Sequence, residues 1–217
     1  MKIPASYQIK GIDAYTIEHE PISSADLMMR AAGTVAEWLW QHVEYGTSFK
    51  VMAGNGNNGG DALVVAMLLA TAGFKVECFL FNCSQKLSPD CAFYKEEIAK
   101  RTNLRFAEVT DPGFRPDIKA DDWVIDGLFG TGLNRPVEEP FISLNRHINT
   151  SGATVVSIDI PSGLFGEDNR QNNPEHCIHA TYTLSFQFPK LAFLFAENSR
   201  IAGDWQILPI GLHPQAI

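Results

Sequence analysis

The sequence predicts an α/β fold wound around a mostly parallel central sheet, and three observations carry the prediction. Short apolar runs alternate with helical segments from residue 49 onward, the order that right-handed βαβ units require. Three polar, loop-rich motifs each follow such a run at its carboxyl end. The composition, 45% hydrophobic and 19% charged over 217 residues, is that of a globular chain large enough for one substantial core.

Each element has its own signal. Ile9 to Glu18 reads as a short helix before Pro21. Ser23-Ser24-Ala25-Asp26 is a capping box; Leu27, Ala31, Val35 and Leu39 then recur at helical spacing to about Tyr45, where Gly46 ends the helix. Phe49 to Ala53 is a short buried strand, and Ala62 to Ala72 a helix stopped by Gly73. Lys75 to Phe81 is a second strand, and Pro89 to Lys100 a helix opened by Ser88-Pro89. Leu104 to Val109, Trp123 to Ile125 and Thr154 to Ile158 are further strands, the last two separated by a helix from Pro140 to Ile148. Thr181 to Phe186 and Trp205 to Leu208 complete the sheet. With no linker or repeat, residues 1–217 are expected to form one domain, and Gly166 to Glu175 a mobile surface loop.

Charge and composition narrow the function. A net charge of −8 disfavours nucleic-acid and membrane partners, which call for clustered Lys and Arg. Met1 to Ser6 lacks the apolar core of an export signal and no run is long enough to span a bilayer, so a cytoplasmic location is expected. Cys78, Cys83, Cys91 and Cys177 lack metal or redox spacing and read as free thiols. His176 and His179 flank Cys177, but the alternation of Ile178, Thr181, Thr183 and Ser185 favours structural histidines over a metal cluster.

The first motif, Gly54-Asn55-Gly56-Asn57-Asn58-Gly59-Gly60-Asp61, joins a strand to a helix start, an arrangement that suits a phosphate. It contains a formal G-x-G-x-x-G, yet the second strand ends Phe81-Asn82-Cys83 without the acid that a dinucleotide site uses for ribose hydroxyls. A hydride-transfer pocket is therefore disfavoured. The second motif runs from Asp126 to Pro136. Asp126, at a buried strand end, either caps the following turn or holds a cation or substrate. Gly130-Thr131-Gly132 offers backbone amides to phosphate, with Leu133, Asn134, Arg135 and Pro136 following; Arg135 alternatively pairs with Glu138 or Glu139. In the third motif, Asp159-Ile160-Pro161-Ser162-Gly163, Asp159 is a partly desolvated carboxylate suited to acid/base work, and the Ser162 turn suits a cation. Lys190 either approaches the same cleft or is a solvated surface lysine.

Together these motifs resemble the YjeF N-terminal domain family. The likeness rests on Asn57 to Asp61, Asp126, Leu128 to Leu133 with Arg135-Pro136, Asp159 to Gly163, Phe186 to Lys190, and the opening Asp13 to Ala32. It departs at Ala62 and Met29, where the family commonly has glycine and glutamate. The resemblance implies a Rossmann-like three-layer α/β/α sandwich and an NAD(P)H-hydrate epimerase. That activity interconverts the R and S forms of NADH or NADPH hydrated at C6 of the nicotinamide ring (NADHX, NADPHX), serving a dehydratase partner whose own domain is absent here. It implies substrate contacts at Asn57, Asn58, Gly59, Gly60, Asp61, Gly130, Thr131, Gly132, Leu133, Asn134, Arg135, Pro136 and Asp159. Asp159 is the candidate acid/base, and one potassium ion falls to Asn58, Asp126 and Ser162. Trp38 and Trp40 on the N-terminal helix offer a homodimer surface. The rival reading is a catalytically silent nucleotide- or protein-binding scaffold of the same fold, against which the intact acids and glycine loop argue.

Overall fold

A computed structural model describes residues 2–83 and 86–217; Met1, part of the N-terminal reading above, lies outside it. The chain forms α1 (Ser6–His19), α2 (Ser24–His42), β1 (Ser48–Ala53), α3 (Asn57–Thr71), β2 (Lys75–Phe81), α4 (Pro89–Ala99), β3 (Arg105–Val109) and β4 (Trp123–Gly127). Then come α5 (Phe141–Asn149), β5 (Thr154–Ile158), β6 (Tyr182–Phe186), α6 (Ser199–Ala202) and β7 (Asp204–Leu208). The strands make one sheet in the order β3-β2-β1-β4-β5-β6-β7, every pairing parallel. The expectation of a mostly parallel sheet therefore holds.

The sheet is covered on both faces, which is why its central strands are near-continuous apolar runs. In β1, alternate residues serve opposite layers: Phe49, Val51 and Ala53 join the core under α2, α3 and α4, while Met52 joins Leu144 and Ile148 of α5. These are the three layers. Sheet order reverses between β1 and β4, so the crevice at their carboxyl ends is where such a fold binds ligands. A smaller cluster seats α1 beside that crevice, Ile12 and Ile17 packing with Leu27, Phe188 and Ile210.

The structure moves several boundaries. α2 has the expected capping box, Ser23 Oγ accepting from Asp26 N at 3.0 Å, but stops at His42 because Val43 turns into extended backbone against the core. Trp38 is committed to the protomer core, its Nε1 donating to Gln206 Oε1 at 2.9 Å, whereas Trp40 is exposed. The loop after Gly166 is tied down at several points: the Asn169 side chain bonds both the N–H and the carbonyl of Phe165, and Asn172 Nδ2 donates to Gly163 O at 2.7 Å. Two changes bear on function. α3 begins at Asn57 instead of Ala62, and β4 runs on through Asp126 to Gly127.

Candidate active site

The loop between β1 and α3 owes two of its glycines to the protein's own backbone. A Cβ on Gly54 would lie 1.8 Å from Leu128 O, and one on Gly59 would lie 1.8 Å from Gly54 O. Glycine at these points lets β1, the start of α3 and the β4 loop close on one another. The asparagine pair then falls in the first turn of α3, whose free amides and dipole face the crevice.

Beneath this turn Asp126 is fully buried. Its Oδ1 accepts from Ser162 Oγ at 2.5 Å and Leu128 N at 3.3 Å; its Oδ2 accepts from Ser157 Oγ at 2.8 Å and Ser162 N at 2.9 Å. Burial pushes its pKa up, and these four neutral donors hold it down only in part. The Phe129 backbone joins the other two residues expected at a cation: its N–H donates to Ser162 Oγ at 2.9 Å and its carbonyl accepts from Asn58 Nδ2 at 2.9 Å. Ser162 thus touches Asp126 directly and Asn58 joins them through Phe129, a set of hard oxygens (Asp126 carboxylate, Ser162 hydroxyl, Phe129 carbonyl) around a buried carboxylate that, among the described residues, has no cationic partner. Such a set fits a monovalent cation chemically.

Asp159 follows β5 with a φ of +64°, a left-handed backbone that costs a non-glycine residue about 1 kcal/mol or more and recurs at functional sites. Its Oδ1 accepts from Lys190 Nζ at 2.6 Å and Phe186 N at 3.2 Å. Lys190 is 2% exposed and also donates to Ser185 Oγ at 3.0 Å, so it is no surface lysine. Asp159 therefore faces a buried cation: the partly desolvated carboxylate expected from the sequence is half of an ion pair bridging the ends of β5 and β6.

These groups open into a cleft of about 770 Å³, within the range of small-molecule sites. Of the expected contacts, Asn57, Asn58, Asp61, Gly130, Thr131, Gly132, Leu133 and Asp159 line it. Gly59 and Gly60 are buried behind it, and Asn134, Arg135 and Pro136 are exposed outside its lining. Two carboxyls in the cleft have no hydrogen bond or ion pair among the described residues. Asp61 is pushed well above the carboxylate range by burial, then by Asp159, Asp13 and Asp90. Asp13, from α1, is raised from 3.8 to about 6 by burial and by Asp159, with Lys190 opposing. Sequence reasoning gave Asp13 no role, although a signal was present: Ile9, Ile12, Asp13, Thr16 and Ile17 form the apolar stripe of α1, and an acid on that stripe points inward. His176 sits in a 3₁₀ turn (Pro174–His176), and the described residues hold no metal-sized group of three His, Cys, Asp or Glu.

A doubly wound parallel sheet with a helix start and an acid-lined cleft at its switch point is that of an α/β protein with its ligand site at the strands' carboxyl ends. The chain belongs to the family described as YjeF-related protein N-terminus, whose model matches residues 24–192. It is 33% identical over 222 residues to the bifunctional NAD(P)H-hydrate repair enzyme Nnr of Thermofilum pendens, an alignment covering 100% of this chain and 41% of that protein. The chain thus spans less than half of that relative. It is 30% identical over 203 residues to the NAD(P)H-hydrate epimerase of Limosilactobacillus fermentum, covering 90% of each. Among solved structures, yeast ynu0 matches with a TM-score of 0.74 at 23% identity over 96% of this chain and 88% of that one, a likeness of fold.

Proposed function

We propose that this chain is an NAD(P)H-hydrate epimerase, an isomerase that interconverts the R and S forms of NADH or NADPH hydrated at C6 of the nicotinamide ring. The observation that carries the reading is the Asp159–Lys190 pair, 2.6 Å apart, at a cleft of nucleotide-accepting size in a member of this family. The names borne by the relatives supply the substrate class.

In this reading the first turn of α3 and the Gly130 to Gly132 turn take the substrate's phosphates through backbone amides. Burial, and then the neighbouring acids, push the Asp61 pKa well above the carboxylate range, which weakens the repulsion it would offer to a phosphate. Arg135, outside the cleft lining, serves the outer end of the ligand. Asp159 exchanges a proton with the hydroxyl at C6 as that hydroxyl leaves and returns on the other face of the ring, and Lys190 orients it. Potassium, held by Asn58, Asp126 and Ser162, would supply a fixed positive charge that offsets buried Asp126. Residues 1–217 act as the epimerase unit, handing the S form to a dehydratase; the bifunctional repair enzyme among the relatives supports two such steps working together. Four free cysteines agree with a cytoplasmic setting, and among the described residues no helix is long and apolar enough to cross a membrane.

The test is chromatographic exchange of R and S NADHX by the purified chain, with and without potassium. The wild type should accelerate exchange over the spontaneous rate, potassium should increase it, and Asp159→Asn should lower it about 100-fold or more with the fold intact. A chain that adds nothing to the spontaneous rate is a scaffold, and the reading fails.

A further inference from the structure

We propose that Asp13 is a second catalytic residue, a proton carrier for the C6 oxygen that works from the α1 wall of the cleft while Asp159 works from the end of β5. The inference rests on the epimerase reading above. Its chemical motive is symmetry. An epimerase moves oxygen from one face of a carbon to the other and runs in both directions. By microscopic reversibility, the group that gives a proton to oxygen leaving one face must take it back from oxygen arriving there. A fixed pair of faces therefore calls for two proton carriers, and Asp159 is one.

Three observations single out Asp13 for the other. It lines the same cleft as Asp159, reaching it from a different element. It lies close enough to both Asp159 and Lys190 to feel their charges. And it is uncommitted, with no hydrogen bond or ion pair among the described residues, while every donor around Asp126 is engaged. The charged groups around Asp13 are Asp159 and Lys190 at the ends of β5 and β6, Asp61 on α3, Asp90 on α4 beyond it, and Lys10 on its own helix. Asp61 is the competing candidate. Burial and then three neighbouring acids push Asp61 well above the carboxylate range with no cation opposing them. At Asp13, raised to about 6, Lys190 opposes the rise, so the carboxyl facing both Asp159 and Lys190 is the better placed to gain and lose a proton near neutrality.

The step balances without a redox partner. The Asp13 carboxylic acid gives its proton to the C6 hydroxyl as the C6–O bond breaks, and the bonding pair leaves with oxygen as water. The ring-nitrogen lone pair forms N1=C6, and Asp13 is left as carboxylate. Water then adds to the opposite face: a new C6–O bond forms, the N1=C6 pair returns to nitrogen, and the water proton passes to the Asp159 carboxylate. The reverse reaction exchanges the two roles.

The experiment is steady-state NADHX exchange from pH 5 to 8 with potassium present, for wild type, Asp13→Asn and Asp13→Ala. The expected result is a fall in kcat of at least about 100-fold for Asp13→Asn with KM changed less than about threefold. Wild-type kcat/KM should fall as pH rises through about 6, this limb should vanish in the variants, and formate should restore activity to Asp13→Ala. A near-wild-type kcat, a change confined to KM, or a limb retained in Asp13→Asn overturns the proposal. Should neither variant fold, a wild-type profile without that limb overturns it and one with it supports it. An inactive wild type removes the epimerase reading and this one together, whereas an active wild type beside an active Asp13→Asn removes this one alone.

Discussion

Replacing Asp13 by Asn should make the protein more stable while, on the inference above, making it inactive. Asp13 carries a carboxyl whose pKa is raised from 3.8 to about 6, chiefly by burial and then by the Asp159 charge. The native state therefore prefers the protonated form. Ionising it in the folded protein is penalised, a penalty absent below pH 3.8, growing as pH rises toward 6, and complete above that. A tenfold change in proton affinity is worth about 1.4 kcal/mol, so the full penalty is about 3 kcal/mol, reduced to about 1–3 kcal/mol by solvent screening in an open cleft. Asn is nearly isosteric, never ionises, and breaks no hydrogen bond among the described residues. At pH 8, Asp13→Asn should gain that amount, about 3–10 °C in Tm for a chain of this size. At pH 4.5 about two thirds of the gain should disappear. Urea denaturation of both proteins at the two pH values measures it. A gain independent of pH, or a loss of stability at pH 8, would refute the argument that Asp13 is held ionised at a cost.

Two further expectations concern the floor of the site. Asp126→Ala removes the acceptor for two serine hydroxyls and two backbone amides, so it should cost about 3 kcal/mol or more, read as a lower urea midpoint; a loss under about 1 kcal/mol would mean the web relaxes freely. Gly59→Ala places a Cβ 1.8 Å from Gly54 O and should cost more than about 2 kcal/mol, whereas Gly56→Ala meets no atom within 4 Å and should cost less than about 1 kcal/mol. Thermal melts compare them, and equal losses would contradict the packing argument.

The strands were legible because each interior strand of a parallel sheet is buried on both faces, so Val51-Met52-Ala53, Val124-Ile125 and Val155-Val156 stand as short apolar runs, while Leu184 is flanked by buried Thr183 and Ser185. The start of α3 was not. Asn57, Asn58, Gly59 and Gly60 have poor helix propensity, and what makes them helical is tertiary: only glycine fits at 59 against Gly54 O, and a Cβ at Gly60 would meet Met28 Sδ at 2.6 Å. Local preference predicts the helix where propensity resumes, at Ala62, five residues late. The same limit explains Asp126. Its place near a strand end could be read, but its donors Ser157 and Ser162 stand 31 and 36 residues further on and become neighbours only through the pairing of β4 with β5.

The acids of the cleft follow the same rule with a consequence for binding. A chain of net charge −8 that takes a phosphorylated ligand must keep negative charge away from the place the phosphates occupy. Asp126 is buried out of the cleft beneath four neutral donors, burial pushes the Asp61 pKa well above the carboxylate range, and Asp159 is matched by Lys190. Asp13 is raised to about 6 with Lys190 opposing the rise, and it sits on α1, which packs at the crevice's edge. The charges Asp13 meets come from three separate places, the ends of β5 and β6 and the start of α3, which is why periodicity could show that it faces inward but not what it meets there. The cleft's charge is set by pairing distant acids with distant donors, and that pairing exists only once β5 and β6 lie side by side.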